Sequence, residues 1–307
     1  MKKVVLCFGH TDFVRGPAME VLYEEMYKEL GTALADLGVA LHGARVSGYL
    51  GGNKFAEGSV FQNGQFTLLH EPFEADVILP KSSAFYADSN ARVINPKSFE
   101  LLFNDKMYMA ARFPHLFPRT IMASNMAQLG TALQRIPGER IVMKPVSDYG
   151  GAGVVIDRKE NIAEQASLFP VIVQSFVDTS KGIPGITHSV SDLRIIVTGI
   201  GKEYQILLMY YREPAPGLLV SNFARGGSIV MMTPAQWPAG AVSLVEEVEK
   251  EFHAYGARNY CIDCACDANG KWFMYEVNVP PGEMLREECG SQADRYTQGM
   301  VDLFLKA

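Results

Sequence analysis

Short apolar runs and one long helical period open the chain. Lys3–Phe8 is an apolar run of strand length. Ala18–Leu37 sets Val21, Leu22, Met26, Leu30, Leu34 and Leu37 at helical spacing, with Pro17 before it and Gly38 after it. Val39–Val46 reads as a second strand, and Val77–Leu79 and Arg92–Ile94 as two more. Asn63-Gly64, between Val60-Phe61 and Phe66-Thr67, reads as a tight hairpin. Strand, helix, strand in this order predicts a parallel pair joined by a crossover, hence an α/β layer. The pattern changes near Asn95-Pro96. Ser98–Arg112 has a helical period with Ser98 as its N-cap, and Pro114 and Pro118 close it. Strands then dominate: Arg140–Lys144, Val154–Ile156, Val171–Val173, Leu193–Thr198, Tyr204–Tyr211, Ser228–Met232, Tyr260–Cys266 and Lys271–Val277. Helices interrupt them at Ala127–Arg135, Ala241–Tyr255 and Ala293–Leu305. A boundary near residue 95 separates mixed α/β from a strand-rich α+β part.

Composition narrows the function. The 307 residues carry a net charge of −6, which argues against binding bulk nucleic acid but leaves room for a local basic site. No apolar run approaches the roughly 18 residues that span a bilayer, and the first apolar stretch breaks at Gly9-His10-Thr11-Asp12, too early for a signal peptide. Five cysteines, an odd number, suggest reduced thiols and a cytoplasmic protein.

Four stretches carry chemistry. In Ile141–Val154 a strand delivers Lys144, and a loop with Gly150, Gly151 and Gly153 follows. Glycines allow backbone N–H groups to approach phosphate oxygens, and the lysine adds charge. The lysine precedes the glycines, so this is not a P-loop, and the dinucleotide spacing fails. A glycine-rich hairpin turn explains it equally well. In Cys261–Gly282, Asp263 and Glu276 lie on strands paired through the Asp267–Gly270 turn, and Glu276 and Asn278 share a face. Carboxylates within apolar strands need a partner, and a hard cation such as magnesium is the natural one. Arg194, in Ser191–Arg194, can clamp a phosphate or form a weak pair with Asp192. Ser221–Ser228 joins Asn222, Arg225, Gly226 and Gly227 ahead of a strand, which suits an anion.

In their order these stretches resemble the ATP-grasp superfamily of carboxylate–amine ligases, closest in look to prokaryotic glutathione synthetase and the ribosomal-protein glutamate ligases. The resemblance covers residues 95–285. It implies an ATP-grasp fold (α/β plus α+β) with an N-terminal Rossmann-like domain at 1–95 on the substrate side. An ATP-grasp domain at 96–307 would divide into a central nucleotide subdomain (96–180) and a metal and catalytic subdomain (181–307). It further implies that Lys106, in Asn104-Asp105-Lys106, and Lys144 approach the nucleotide. Ser147–Gly153 would close over the phosphates, with Ser147, Gly150, Gly151 and Gly153 in the loop. Gln174, Phe176 and Val177 belong to the hinge strand that reads adenine, and Asp178 holds the ribose. Arg194 acts on the transferring phosphate, and Asn222 and Arg225 line the acyl-phosphate site. Asp263, Glu276 and Asn278 are the metal ligands, and the separation 276 − 263 = 13 resembles the hairpin of D-alanine–D-alanine ligase. The pattern departs from the family at Ser175, where glutamate is frequent, in Thr179–Ser191, and after Gly282.

The implied cofactors are ATP and magnesium, two ions, with manganese as a substitute. The implied partners are small carboxylate and amine substrates, with a homodimer or homotetramer by analogy. An ATP-grasp phosphotransferase and a non-catalytic ATP-binding regulator are the competing readings. His10 and Arg15 are candidates for touching substrate. Cys264 and Cys266 face away from Cys261, which argues against one zinc site. Met107, Met109, Met122 and Met126 read as core gap-fillers.

Overall fold

The computed structural model describes residues 1–9, 18–88, 90–104, 106–146, 153–166, 168–215, 217–218, 226–282, 284 and 286–307. The N-terminal part runs β1 (Lys2–Phe8), α1 (Ala18–Ala35), β2 (Val39–Arg45), β3 (Tyr49–Gly51), β4 (Lys54–Phe55), β5 (Gly58–Gln62), β6 (Gln65–Leu69), β7 (Phe73–Glu74) and β8 (Val77–Pro80). Its main sheet has the order β6-β5-β2-β1-β8, with β1 parallel to both β2 and β8. The β5–β6 hairpin turns at Asn63-Gly64, both with positive φ (52° and 80°), as the Asn-Gly signal requires. Arg92–Ile94 does not become a strand. It contributes a single parallel bridge, Val93 to Ile78, because the segment leaves the sheet edge at once and Asn95 bonds to Asn259 instead.

Next come α2 (Lys97–Asn104), α3 (Lys106–Arg112), β9 (Thr120–Ala123), α4 (Met126–Arg135), β10 (Arg140–Pro145), β11 (Val155–Arg158), α5 (Lys159–Ile162) and β12 (Val171–Ser175). The expected single helix over 98–112 is therefore two. Ser98 lies inside α2 rather than capping it, because the Pro96 carbonyl already accepts from the N–H groups of Phe99 and Glu100. The strands form an antiparallel sheet in the order β11-β10-β12-β9. Ile141, Met143, Val171 and Val173 on one face bury against Leu129 and Ala132 of α4. Met109 is core as expected, but Met122 and Met126 are 45% and 51% exposed. Met122 falls on the opposite face of this sheet, away from that core.

The last part holds β13 (Asp192–Ile200), β14 (Glu203–Glu213), β15 (Ser228–Met231), α6 (Ala239–Phe252), β16 (Arg258–Cys266), β17 (Trp272–Asn278), α7 (Arg286–Cys289) and α8 (Ala293–Lys306). Its antiparallel sheet has the order β15-β14-β13-β16-β17. One face (Leu193, Ile195, Val197, Met209, Ile262, Met274) packs on Val245, Val248 and Phe252 of α6 and on Phe99 and Phe103 of α2. The other (Ile196, Leu208, Tyr210, Cys261) joins Met300 and Phe304 of α8 and Leu30 and Leu34 of α1 in one core. The five cysteines are free and buried. Cys261 and Cys264 lie in different cores, as strand alternation requires. No helix among the described residues is long and apolar enough to cross a membrane.

Candidate active site

Register builds the site. Arg194 on β13 stands opposite Asp263 on β16, and Asp263 opposite Glu276 on β17, so three charged side chains form a row across adjacent strands. Asn278 follows two residues along β17, opposite Cys261. Arg194 donates to both oxygens of Asp263, Nε to Oδ1 at 2.6 Å and Nη2 to Oδ2 at 2.7 Å. Arg212, at the end of β14, clamps Asp192 in the same two-pronged way at 2.8 and 2.8 Å. Its Nη2 also lies 3.2 Å from Asp263 Oδ2. The two arginines and two aspartates thus alternate in one network. Burial would raise the Asp263 pKa, but Arg194 and Arg212 outweigh it and hold the carboxyl below the usual carboxylate range. The pairing of Arg194 with its sequence neighbour Asp192 does not occur. Asp192 faces Arg212 across the ladder and bonds there.

Lys106, the first residue of α3, closes the row, with Nζ 3.4 Å from Glu276 Oε1. Lys144 comes from β10, on the face opposite that sheet's buried core, which Gln174 shares. Burial pushes the Lys144 ammonium down to about 8, with Glu276 opposing the fall and Lys106 adding to it. Lys106, Lys144 and Glu276 are therefore close enough to sense one another. Gln174 donates to Thr120 Oγ1 at 2.9 Å. The chain then leaves β12 through Phe176, stacked under Arg140, and buried Val177. At Asp178 the carbonyl accepts from Ala268 N–H and the carboxylate accepts from Ser180 N–H. The first of these bonds ties the segment after β12 to the β16–β17 turn. Gly153 has a φ of +67°, in the left-handed region that favours glycine. Gly282 passes beside Arg194, where an added Cβ would stand 4.0 Å from Nη1.

The fold thus gathers Lys106, Lys144, Arg194, Asp263, Glu276 and Asn278, with Gln174, Phe176, Val177 and Asp178 along the hinge. Ser147, Gly150, Gly151, Asn222, Arg225, His10 and Arg15 lie outside the described residues. Sequence reasoning missed Arg212. The signal was an arginine directly after the long apolar run Ile206–Tyr211. A cleft of about 1020 Å³ beside the hinge is lined by Phe117, Met122, Phe176 and Phe273. Lys144 and Glu276 are not among its walls, so volume alone does not mark the charged row. Two carboxylates and a carboxamide on neighbouring strands are an all-oxygen donor set, which suits a hard divalent cation.

A family model described as the ATP-grasp domain of prokaryotic glutathione synthetase matches residues 105–279, more than half of the chain. No curated protein matches the sequence. Among solved structures, a Chryseobacterium gregarium RiPP-associated ATP-grasp ligase in complex with ADP and a leader and core peptide aligns at 11% identity and TM-score 0.66, covering 100% of this chain and 97% of that one. D-alanyl-alanine synthetase A from Vibrio cholerae aligns at 12% identity and TM-score 0.61, covering 99% and 98%. The macrocyclase MdnC from Microcystis aeruginosa, bound with precursor peptide MdnA, aligns at 14% identity and TM-score 0.60, covering 100% of both chains. Sequence match and shared architecture agree: the chain belongs to the prokaryotic glutathione synthetase ATP-grasp family and is an ATP-dependent, ADP-forming C–N ligase.

Proposed function

We propose that the protein joins a carboxylate to an amine through an acyl phosphate, releasing ADP and phosphate. The observation that carries this reading is the row Arg194–Asp263–Glu276 across three strands, closed by Lys106. The division follows the resemblance: residues 1–95 shape the substrate side and 96–307 bind nucleotide and metal. Backbone groups at Gln174–Val177 read adenine and Asp178 takes the ribose. Lys106 and Lys144 neutralise the phosphates, and Arg194 stabilises the transferring one. Ser147, Gly150, Gly151 and Gly153 belong to the covering loop, and Asn222 and Arg225 face the acyl phosphate. Asp263, Glu276 and Asn278 would hold magnesium, which when bound draws charge from the phosphate oxygens. The protein does little covalent chemistry in the first step; it positions a carboxylate oxygen in line with the γ-phosphate and spreads charge. Displacement of phosphate by the amine then closes the amide. The substrates are amino-acid-like, peptide or natural-product molecules, in keeping with relatives seen with peptides. Incubation with ATP, magnesium and pooled carboxylates and amines tests this. A mass equal to acid plus amine minus water, with ADP and phosphate, is expected. ADP with a phosphorylated product and no condensation would refute it.

A further inference from the structure

Asp263 is asked to serve two masters. Its oxygens suit a divalent cation, yet two guanidinium groups already hold them. The two arginines are not equivalent. Arg212 has both prongs on Asp192 at 2.8 Å and touches Asp263 only at 3.2 Å, and its side chain is 6% exposed. Every hydrogen bond Arg194 makes to described residues goes to Asp263, and its side chain is 22% exposed.

Resting on the ligase reading above, we propose that Arg194 is an exchangeable cation and Arg212 a fixed one, so that a divalent metal and Arg194 compete for Asp263. Metal on Asp263 displaces Arg194, and the freed guanidinium turns to the nucleotide's terminal phosphate. Arg212, latched by Asp192, remains as a positioning residue that keeps Asp263 in place. Glu276 and Lys106 form a second pair of the same kind at 3.4 Å. Charge explains the logic. Asp192, Asp263 and Glu276 carry three negative charges, faced by the cations Arg194, Arg212, Lys106 and Lys144, so bare metal meets a site with no net negative charge. Metal arriving with a polyphosphate supplies a new anionic partner for each cation it releases. Metal and nucleotide binding are then positively coupled through one carboxylate, and the coupling is reciprocal.

The test needs no substrate. Manganese binding is measured by electron paramagnetic resonance and calorimetry on the full-length protein, with manganese alone and with β,γ-imido-ATP. Wild type should bind manganese weakly alone and far more tightly with the nucleotide. Arg194→Ala should bind manganese alone on the order of tenfold more tightly, while losing most of the coupling. Asp192→Asn, which unlatches Arg212 toward Asp263, should weaken manganese binding alone. Thermal melts establish that each variant is folded. Unchanged or weaker manganese affinity in folded Arg194→Ala would overturn the exchange. Absence of nucleotide binding in wild type would instead sink the ligase reading, with the manganese-alone comparison still legible.

Discussion

Glu249→Gln isolates a buried charge on which the catalytic sheet depends. Glu249 on α6 accepts from Arg258 Nε at 3.1 Å and from Tyr260 Oη at 2.6 Å, and also pairs with Arg258 Nη2. Arg258 Nη1 donates to the Gly256 carbonyl at 2.8 Å. The side chains of Arg258 and Glu249 are 0% and 4% exposed, so water screens neither. Both Arg258 and Tyr260 lie on β16, three to five residues before Asp263. The substitution keeps shape and one acceptor but leaves the guanidinium unpaired in a core. Removing one partner of such a pair costs about 3–5 kcal/mol. At roughly 2–4 °C per kcal/mol for chains of this order, Tm should fall by about 6–20 °C. Glu203→Gln is the control, since its pair with Lys306 is 77% and 59% exposed and water screens it. The triple variant Glu249→Leu/Arg258→Met/Tyr260→Phe should recover most of the loss, because apolar groups of similar volume replace such pairs at little cost and no buried hydroxyl is left without an acceptor. Thermal melts followed by circular dichroism read all of these. A Glu249→Gln drop no larger than the Glu203→Gln drop would refute the reasoning.

Glu276→Gln should abolish turnover while melting like wild type, because the residue sits in the charged row rather than a core; normal turnover would remove it from the metal set. Lys144→Ala should weaken ATP binding several-fold by calorimetry, since one charge-assisted contact is lost. Wild-type ATP affinity should fall as pH rises through about 8, where the Lys144 ammonium loses its proton, and Lys144→Arg should flatten that profile. His42 is buried and stacked on Phe73, with neither ring nitrogen bonded among the described residues. Burial, with a smaller push from Lys3, takes it from 6.5 down to about 4. The unfolded chain therefore takes the proton first, so stability is full above pH 6.5 and is lost as pH falls toward 4. His42→Phe should flatten urea-measured stability over that window, and an unaltered slope would contradict the assignment.

Much of the site was legible because its signals are local. An apolar strand carrying Asp263, a turn at Asp267–Gly270 and a second strand carrying Glu276 put two carboxylates opposite each other, and the ladder pairs them so. The order of motifs around Lys144, Arg194 and Glu276 pointed to the family that the match over 105–279 establishes. Four-residue β9 escaped notice because Pro118 and Asn125 leave little room for a period to show. Arg258 and Glu249 are nine positions apart on different elements, and only the packing of α6 on β16 brings them together.

The sequence by itself determined most of the longer strands and helices, the turns at Asn63-Gly64 and Asp267–Gly270, and which chemistry-bearing residues share a face, since alternation and period are properties of neighbouring residues. Tertiary structure alone decided which cation meets which carboxylate. Asp192 and Arg194 are neighbours in the chain, yet Asp192 belongs to Arg212 and Arg194 to Asp263. Partner choice for a buried charge is set by strand register and by what the adjoining strand presents, and neither is written in the spacing of a single strand.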